Sequence, residues 1–404
     1  VSVTPAGGQA NGSTSALGLS DDARFQLMAT WATNLVGGVG GTRWGKLVLR
    51  DQRTGALQRV DVGSNESAGT GIPGVNWGSL AAGGRYIAFS TDRDGLTADD
   101  HDGDNDMFVR DIVAGTTVRL RVGVGGTLAD SYTYELGISA DGRYVLFLSA
   151  ATNLLPGGSR DQHIYRHDRQ RGVTVQVDGG LGGTAANGLA YGGSLSADGR
   201  RAAFYSEASN LVAVDSNGKL DVFVRDIGAG KTSIVSTGYK AGQQSTGTSE
   251  NPIISGDGRF VAFQSTAAFL VPNDTNNRID VFVRDLARGV TERVSIGSAG
   301  KQATARSELD HISSTGRYVV FRTLATNLGS LPDTNKDYDL YVRDREAGST
   351  RRVSVGLGDR SPNERSILGF ASTNGTVLFD SHASNIVAGD TNGEPDTFVR
   401  APAP

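Results

Sequence analysis

Five stretches of this chain share one acidic spacing, D-x-[ND]-x-x-x-D. They begin at Asp100, Asp215, Asp274, Asp333 and Asp390 and end at Asp106, Asp221, Asp280, Asp339 and Asp396. Alternate oxygen donors on a tight loop are how proteins hold Ca²⁺. Hard oxygen ligands, with no cysteine and only five histidines, favour Ca²⁺ over transition metals. The candidate ligands are Asp100, Asp102, Asp104 and Asp106; Asp215, Asn217 and Asp221; Asp274, Asn276 and Asp280; Asp333, Asn335, Asp337 and Asp339; and Asp390, Asn392 and Asp396. The metal-free alternative is a set of side-chain turns, because Asp and Asn bond backbone two residues on. Four copies carry a further Asp eleven residues after the first: Asp111, Asp226, Asp285 and Asp344. A strand of about five residues, ~16 Å, separates it from the loop. It is expected to cap the following turn.

A second group gathers polar and aromatic residues at equivalent points of a repeat. They are Asn76, Trp77, Tyr134, Glu135, Tyr191, Glu250, Asn251, Glu308, Asp310, His311, Glu364 and Arg365. Carboxylates converging near one axis raise one another's pKa and can serve acid–base chemistry. They can equally bind a cation, or sit in channel water. No G-x-S-x-G elbow exists and cysteine is absent, which argues against serine hydrolases of that type and excludes cysteine nucleophiles.

The elements that position these residues come from an internal repeat. ISADGRYVLF (138–147) recurs as LSADGRRAAF (195–204), ISGDGRFVAF (254–263) and ISSTGRYVVF (312–321), with weaker copies at 19–28, 80–89 and 370–379. The last residues of the seven copies are spaced by 61, 58, 57, 59, 58 and 58. An aromatic-Val-Arg-Asp segment follows, as at 108–111, 223–226, 282–285 and 341–344. Two markers on one period predict seven copies of one unit. Each unit reads as four short strands, in the fifth Asn251–Ser255, Arg259–Ser265, Asp280–Asp285 and Thr291–Ile296. No stretch keeps a 3.6-residue period, so helix is minimal. The fold class is all-β: a seven-bladed β-propeller with four antiparallel strands per blade, occupying 1–404 as a single domain. Repeat seven, about 362–400, ends after its third strand, and Val1-Ser2-Val3 aligns with Val294-Ser295-Ile296. The N-terminal strand is therefore expected to complete the last blade and close the ring, which hides its edges.

The S-x-D-G-R-x-x-A-F segment with its aromatic-Val-Arg-Asp partner resembles the TolB-type propeller repeat, and Ser90-Thr91-Asp92-Arg93-Asp94-Gly95 is especially similar to that family. The resemblance implies a propeller. It leaves function open among periplasmic scaffolds, peptidase lids, sugar lyases and surface proteins.

Strand alternation puts the Asp-Gly turns on one face and the long acidic loops on the other. A binding site is expected on the long-loop face. The 39 Lys and Arg against 43 Asp and Glu, without a basic block, disfavour nucleic acid. No apolar run approaches the ~18 residues of a membrane span. The first residues lack signal-peptide features, so the expectation is a mature secreted, cell-surface or periplasmic bacterial form. The reading is a monomeric, non-catalytic scaffold for a protein or glycan ligand, with Ca²⁺ in the long loops. One alternative is a carbohydrate-active, polysaccharide-lyase-like enzyme using the channel carboxylates. The other is a lectin; Trp31, Trp44 and Trp77 all fall in the first two repeats.

Overall fold

The computed structural model describes residues 2–36, 45–70, 77–240, 243–331 and 333–402. Blade one holds β1–β4 (Thr14–Leu19, Phe25–Thr30, Lys46–Asp51, Leu57–Arg59). Blade two holds β5–β8 (Trp77–Leu80, Tyr86–Thr91, Asp106–Asp111, Thr116–Arg119). Blade three holds β9–β12 (Thr133–Ile138, Tyr144–Ser149, His163–Asp168, Val173–Gln176). Blade four holds β13–β16 (Ala190–Leu195, Arg201–Ser206, Asp221–Asp226, Lys231–Ile234). Blade five holds β17–β20 (Ser249–Ile254, Phe260–Ser265, Asp280–Asp285, Val290–Arg293). Blade six holds β21–β24 (Ser307–Ile312, Tyr318–Thr323, Asp339–Asp344, Ser349–Arg352), and blade seven β25–β27 (Ser366–Ala371, Val377–Ser381, Asp396–Arg400). Within each blade, strands pair antiparallel in chain order. The first strands touch in sequence, β1 to β5 to β9 and on to β25, which returns to β1. This is a seven-bladed propeller. Among the described residues the helical segments are two 3-10 turns, Val124–Gly126 and Leu181–Gly183.

The two sequence markers are the two sides of each blade's core. Phe263 on β18 lies directly across from Phe282 on β19, with ring centroids 5.8 Å apart. The same stacked pair is Phe89–Phe108, Phe147–Tyr165, Phe204–Phe223, Phe321–Tyr341 and Phe379–Phe398. Such a pair adds about 0.5–1.5 kcal/mol beyond the area it buries. Blade one replaces it with Met28 opposite Val48.

The Ser-x-Asp-Gly-Arg turn is held by its own side chains. Ser255 Oγ donates to Asp257, while the Arg259 and Phe260 amides donate to Asp257 and to Ser255 Oγ, both at 2.9 Å. Gly258 has φ of 69°, which suits glycine. Arg259 then clamps Asp285 through Nε and Nη2, at 3.1 and 2.6 Å. Asp285 also accepts the amides of Ala287 and Arg288, and so caps the turn into β20. Asp111, Asp226 and Asp344 cap their turns likewise. The recurring third-strand arginine reaches the fourth strand: Arg225, Arg284 and Arg343 donate to Thr232, Thr291 and Thr350.

The N-terminal segment joins blade seven. Ser2 N–H donates to Thr397 O at 3.3 Å, and Ser2 Oγ donates to Asp396 at 2.5 Å. Ser236, Ser295 and Ser354 make the same contact with Asp221, Asp280 and Asp339. β20 ends at Arg293, short of the expected Ile296, because Val294–Ile296 turns to bring Ser295 Oγ inward. Ser2 and Val3 thus occupy the corner that Ser295 and Ile296 form just past β20. On the other side of the seam, Asp380 of β26 accepts Ala16 N–H at 2.8 Å, with Ser15 Oγ and Thr397 Oγ1 also donating to it.

Candidate functional site

Among the described residues six of the seven first strands carry a bulge, as between Leu309 and His311 on β21 and between Glu250 and Ile253 on β17. A bulge adds one residue and turns the side chains after it. This decides where the predicted channel residues go. At the tight-turn end the axis holds a cavity of about 170 Å³ whose lining includes Leu19, Leu80, Leu136, Leu195, Ile253 and His311. The side chains of Glu135, Glu308 and Asp310 are buried among the blades instead. Glu135 is buried, takes a hydrogen bond from Ser79, and is pushed up to about 8 by burial. Glu308 is met by Arg322 at 2.7 Å, by Arg306 and by Tyr338 Oη at 2.9 Å. Asp310 meets Arg322 at 2.7 Å, and burial raises it to about 7 despite that charge, with Asp380 adding to the rise. Asp380, itself raised to about 7 by burial, is a site residue that the repeat alignment missed. Its signal was a lone Asp following the apolar run Val377-Leu378-Phe379.

His311 Nδ1 accepts the Ala371 amide at 3.2 Å, and burial lowers it to about 4. Glu250 accepts Gln264 Nε2 at 3.0 Å, and Asn251 stands exposed at the bulge with φ of 52°. Tyr191 stacks on Tyr205 and donates to Glu207, while Tyr134 tilts against Tyr132. Glu364 and Arg365 are exposed. Asn76, Trp44 and the Trp77 side chain lie outside the described residues; Trp77 opens β5 opposite Ser90. The structure thus brings Glu308, Asp310 and Arg322 together and leaves Glu135, Glu250 and Glu364 in separate surroundings.

The acidic loops divide by the residue at their third position. Where it is Asn, its amide does internal work. Asn276 Nδ2 donates to Asp280 at 2.8 Å and to Ala303 O at 3.1 Å, and Asn217 does the same with Asp221 and Ser245. Asn392 joins Asp396 to Ala10 O, and Asn335 reaches Glu364 O. The acids also find internal partners. Arg293 lies 2.9 Å from Asp274 and 3.6 Å from Asp280, Arg352 lies 3.0 Å from Asp339, and Gln9 donates to Asp390 at 2.7 Å. Asp215 and Asp221 lack such an arginine because Ile234 stands where β20 has Arg293; burial raises both, Asp221 to about 6. Asp333 accepts Ser361 Oγ, and Asp337 accepts the Tyr338 amide.

Blade two differs. Its third position is Asp102, which cannot donate. One oxygen of each of Asp94, Asp100 and Asp102 lies within 4.8 Å of the others. The turn places them: Asp100 Oδ2 accepts Leu96 N–H at 3.0 Å, and Asp94 Oδ1 accepts Gly103 N–H at 2.9 Å. Asp100 is buried, and that burial raises its pKa. The Arg119 hydrogen bond lowers Asp102, whose oxygen lies 2.6 Å from the guanidinium. Arg119 also engages Asp106, which burial still pushes up to about 6. Asp104 stays exposed. Asp94 was missed because it precedes the D-x-[ND] spacing, although it stands inside the Ser90–Gly95 segment.

Beside this triad lies a cavity of about 220 Å³ lined in part by Asp102, Asn105, Arg119, Asp130 and Tyr132. Both polar atoms of the Asn105 amide are buried without a hydrogen-bond partner. The sister loops place Leu220, Ile279, Tyr338 and Pro395 there. Buried polar groups are normally satisfied, so this exchange marks blade two again.

No family model matches the chain, and no curated protein does. Solved structures do. The oligogalacturonate lyase of Vibrio parahaemolyticus aligns with TM-score 0.54 and 12% identity, over 96% of this chain and 89% of that one. The β-propeller domain of the Trilobed protease from Pyrococcus furiosus gives 0.52 and 9%, over 95% of each. A putative TolB from Agrobacterium tumefaciens gives 0.42 and 17%, over 70% of this chain and 80% of that one. At such identities the likeness to the first two is one of fold alone.

Proposed function

We propose that the protein is a non-catalytic binding scaffold whose ligand surface is the long-loop face at blades two and three, with Ca²⁺ held by Asp94, Asp100 and Asp102. The carrying observation is the convergence of those three carboxylates on one turn. Oxygen-only donors suit Ca²⁺. The adjoining cavity, with Asp102 in its wall, offers a protein or glycan ligand a recess next to the ion. A scaffold rather than an enzyme is favoured because Arg322 holds Glu308 and one oxygen of Asp310 and the Ala371 amide holds His311, although Asp310 Oδ2 is buried without a partner. A site with three protein carboxylates fits the weak, extracellular class of calcium module, on the order of 10⁻⁴–10⁻³ M, so an exported location belongs to the same proposal. Among the described residues no helix is long and apolar enough to cross a membrane.

Scanning calorimetry after EDTA treatment and again with millimolar CaCl₂ tests this reading. The expected result is a higher melting temperature with Ca²⁺, by about 1.4 kcal/mol of stabilisation where the ion reaches ten times its dissociation constant. The gain should vanish in Asp94→Ala. An unchanged melting temperature in the unmodified protein would remove the calcium.

A further inference from the structure

We propose that the recess between blades four and five, at the tight-turn end, binds a small aromatic carboxylate. The site stands apart from the calcium proposal and does not depend on it.

Five blades lay an aromatic ring against the turn glycine of the next blade: Phe25 on Gly84, Tyr86 on Gly142, Tyr144 on Gly199, Phe260 on Gly316 and Tyr318 on Gly375. The fit is close enough that a Cβ on Gly316 would fall 2.2 Å from the Phe260 ring. The same blades clamp the third-strand Asp with a two-pronged Arg, as Arg143 holds Asp168 at 2.9 and 2.7 Å. Blade four abandons both devices. Arg201 stands where the ring would be, with its Nη1 on Gly258 O at 2.8 Å. Arg200 faces Asp198 at 3.8 Å, and Arg201 reaches Asp226 only at 3.6 Å.

The result is a cavity of about 440 Å³, floored by Val224 and Leu286, with Arg201, Lys231, Arg259 and Asp226 around it. The equivalent recess at blade six, where Tyr318 is present and Arg351 and Pro402 also enter, is about 220 Å³. A volume of 440 Å³ falls in the range of small-molecule pockets, ~300–1,000 Å³. Arg259 is already matched by Asp285 at 2.6 Å. That leaves Arg201 and Lys231 facing the single carboxylate of Asp226, one cation in excess. Lys231 stands where sister strands begin with Thr116, Val173, Val290 or Ser349. An apolar floor where a ring is missing calls for a ring. The excess cation calls for an anion on it. Guanidinium groups also stack on rings at this end, as Arg143 does on Tyr144 at 4.8 Å.

Fluorobenzoate, followed by fluorine NMR during titration of the full chain, is the probe. Saturable binding is expected. It should weaken at least tenfold in Arg201→Tyr, which restores the sister ring and so should fold with an equal or higher melting temperature, and likewise in Lys231→Val at the exposed rim. Neutral fluorotoluene should bind at least tenfold more weakly than fluorobenzoate. Absence of saturable binding, equal binding to Arg201→Tyr, or fluorotoluene binding as tightly as fluorobenzoate would each overturn the proposal.

Discussion

The two ends of the propeller use repetition differently. At the tight-turn end one set of bonds recurs: the Ser–Asp turn, the Arg–Asp clamp and the ring on the next glycine. At the long-loop end five loops share a spacing, yet only blade two exchanges the amide donor for a third carboxylate. A residue that recurs on the blade period is explained by the blade. A residue that breaks the period while its neighbours keep it needs another explanation, and Asp102, Asn105 and Arg201 are of this second kind. Local rules fail where something other than folding is being served.

The contrast can be broken from the side of the repeated interior, where the largest effect is expected. Phe263→Ala removes a fully buried ring from a stacked pair and should cost about 3–5 kcal/mol in denaturant unfolding. A much smaller loss would mean that the repeated pairs do not carry the blades. The seam between blades seven and one comes next. Asp380→Ala strips the acceptor from Ala16 N–H and Ser15 Oγ in the interior, with an expected loss of about 2–3 kcal/mol. Stability unchanged by it would show that Asp380 does not tie the seam.

The smallest effect is a pH trend. Burial raises Glu135 to about 8 and Asp310 and Asp380 to about 7. From the unfolded carboxylate range near pH 4 up to these values, the folded chain holds protons that the unfolded chain has released, so stability falls as pH rises. His311 and His167, lowered to about 4, act oppositely, but only below the unfolded histidine value near 6.5. His163, raised by its hydrogen bond to Asp178, adds stability that is lost as pH climbs through its folded value. Between pH 6.5 and 8 the three acids and His163 point down, while the opposing effect of His311 and His167 fades. Urea midpoints should fall across that window by the equivalent of about 2 kcal/mol, and by less in Glu135→Gln. A rising midpoint would contradict the buried, proton-holding state of these acids.

Much of the architecture was legible in the sequence, because a period near 58 with two markers leaves few other folds. The offset that aligns Val1-Ser2-Val3 with Val294-Ser295-Ile296 located the Ser2 contact with Asp396. The channel was less legible. Alternation alone cannot foresee a bulge, and the bulge at Asp310 decides that this carboxylate meets Arg322. In the loops the D-x-[ND] spacing treated Asp and Asn as equivalent oxygen donors. The Asn amides bond inward, and that separates the four Asn loops from blade two.

Isothermal titration of the EDTA-treated protein with CaCl₂, at about millimolar protein so that the chain matches or exceeds the proposed dissociation constant, tests the central claim most directly, because it then counts ions. One site per chain, abolished in Asp94→Ala and retained in Asn276→Ala, is the predicted result. No heat of binding, or several equal sites that survive Asp94→Ala, would contradict it.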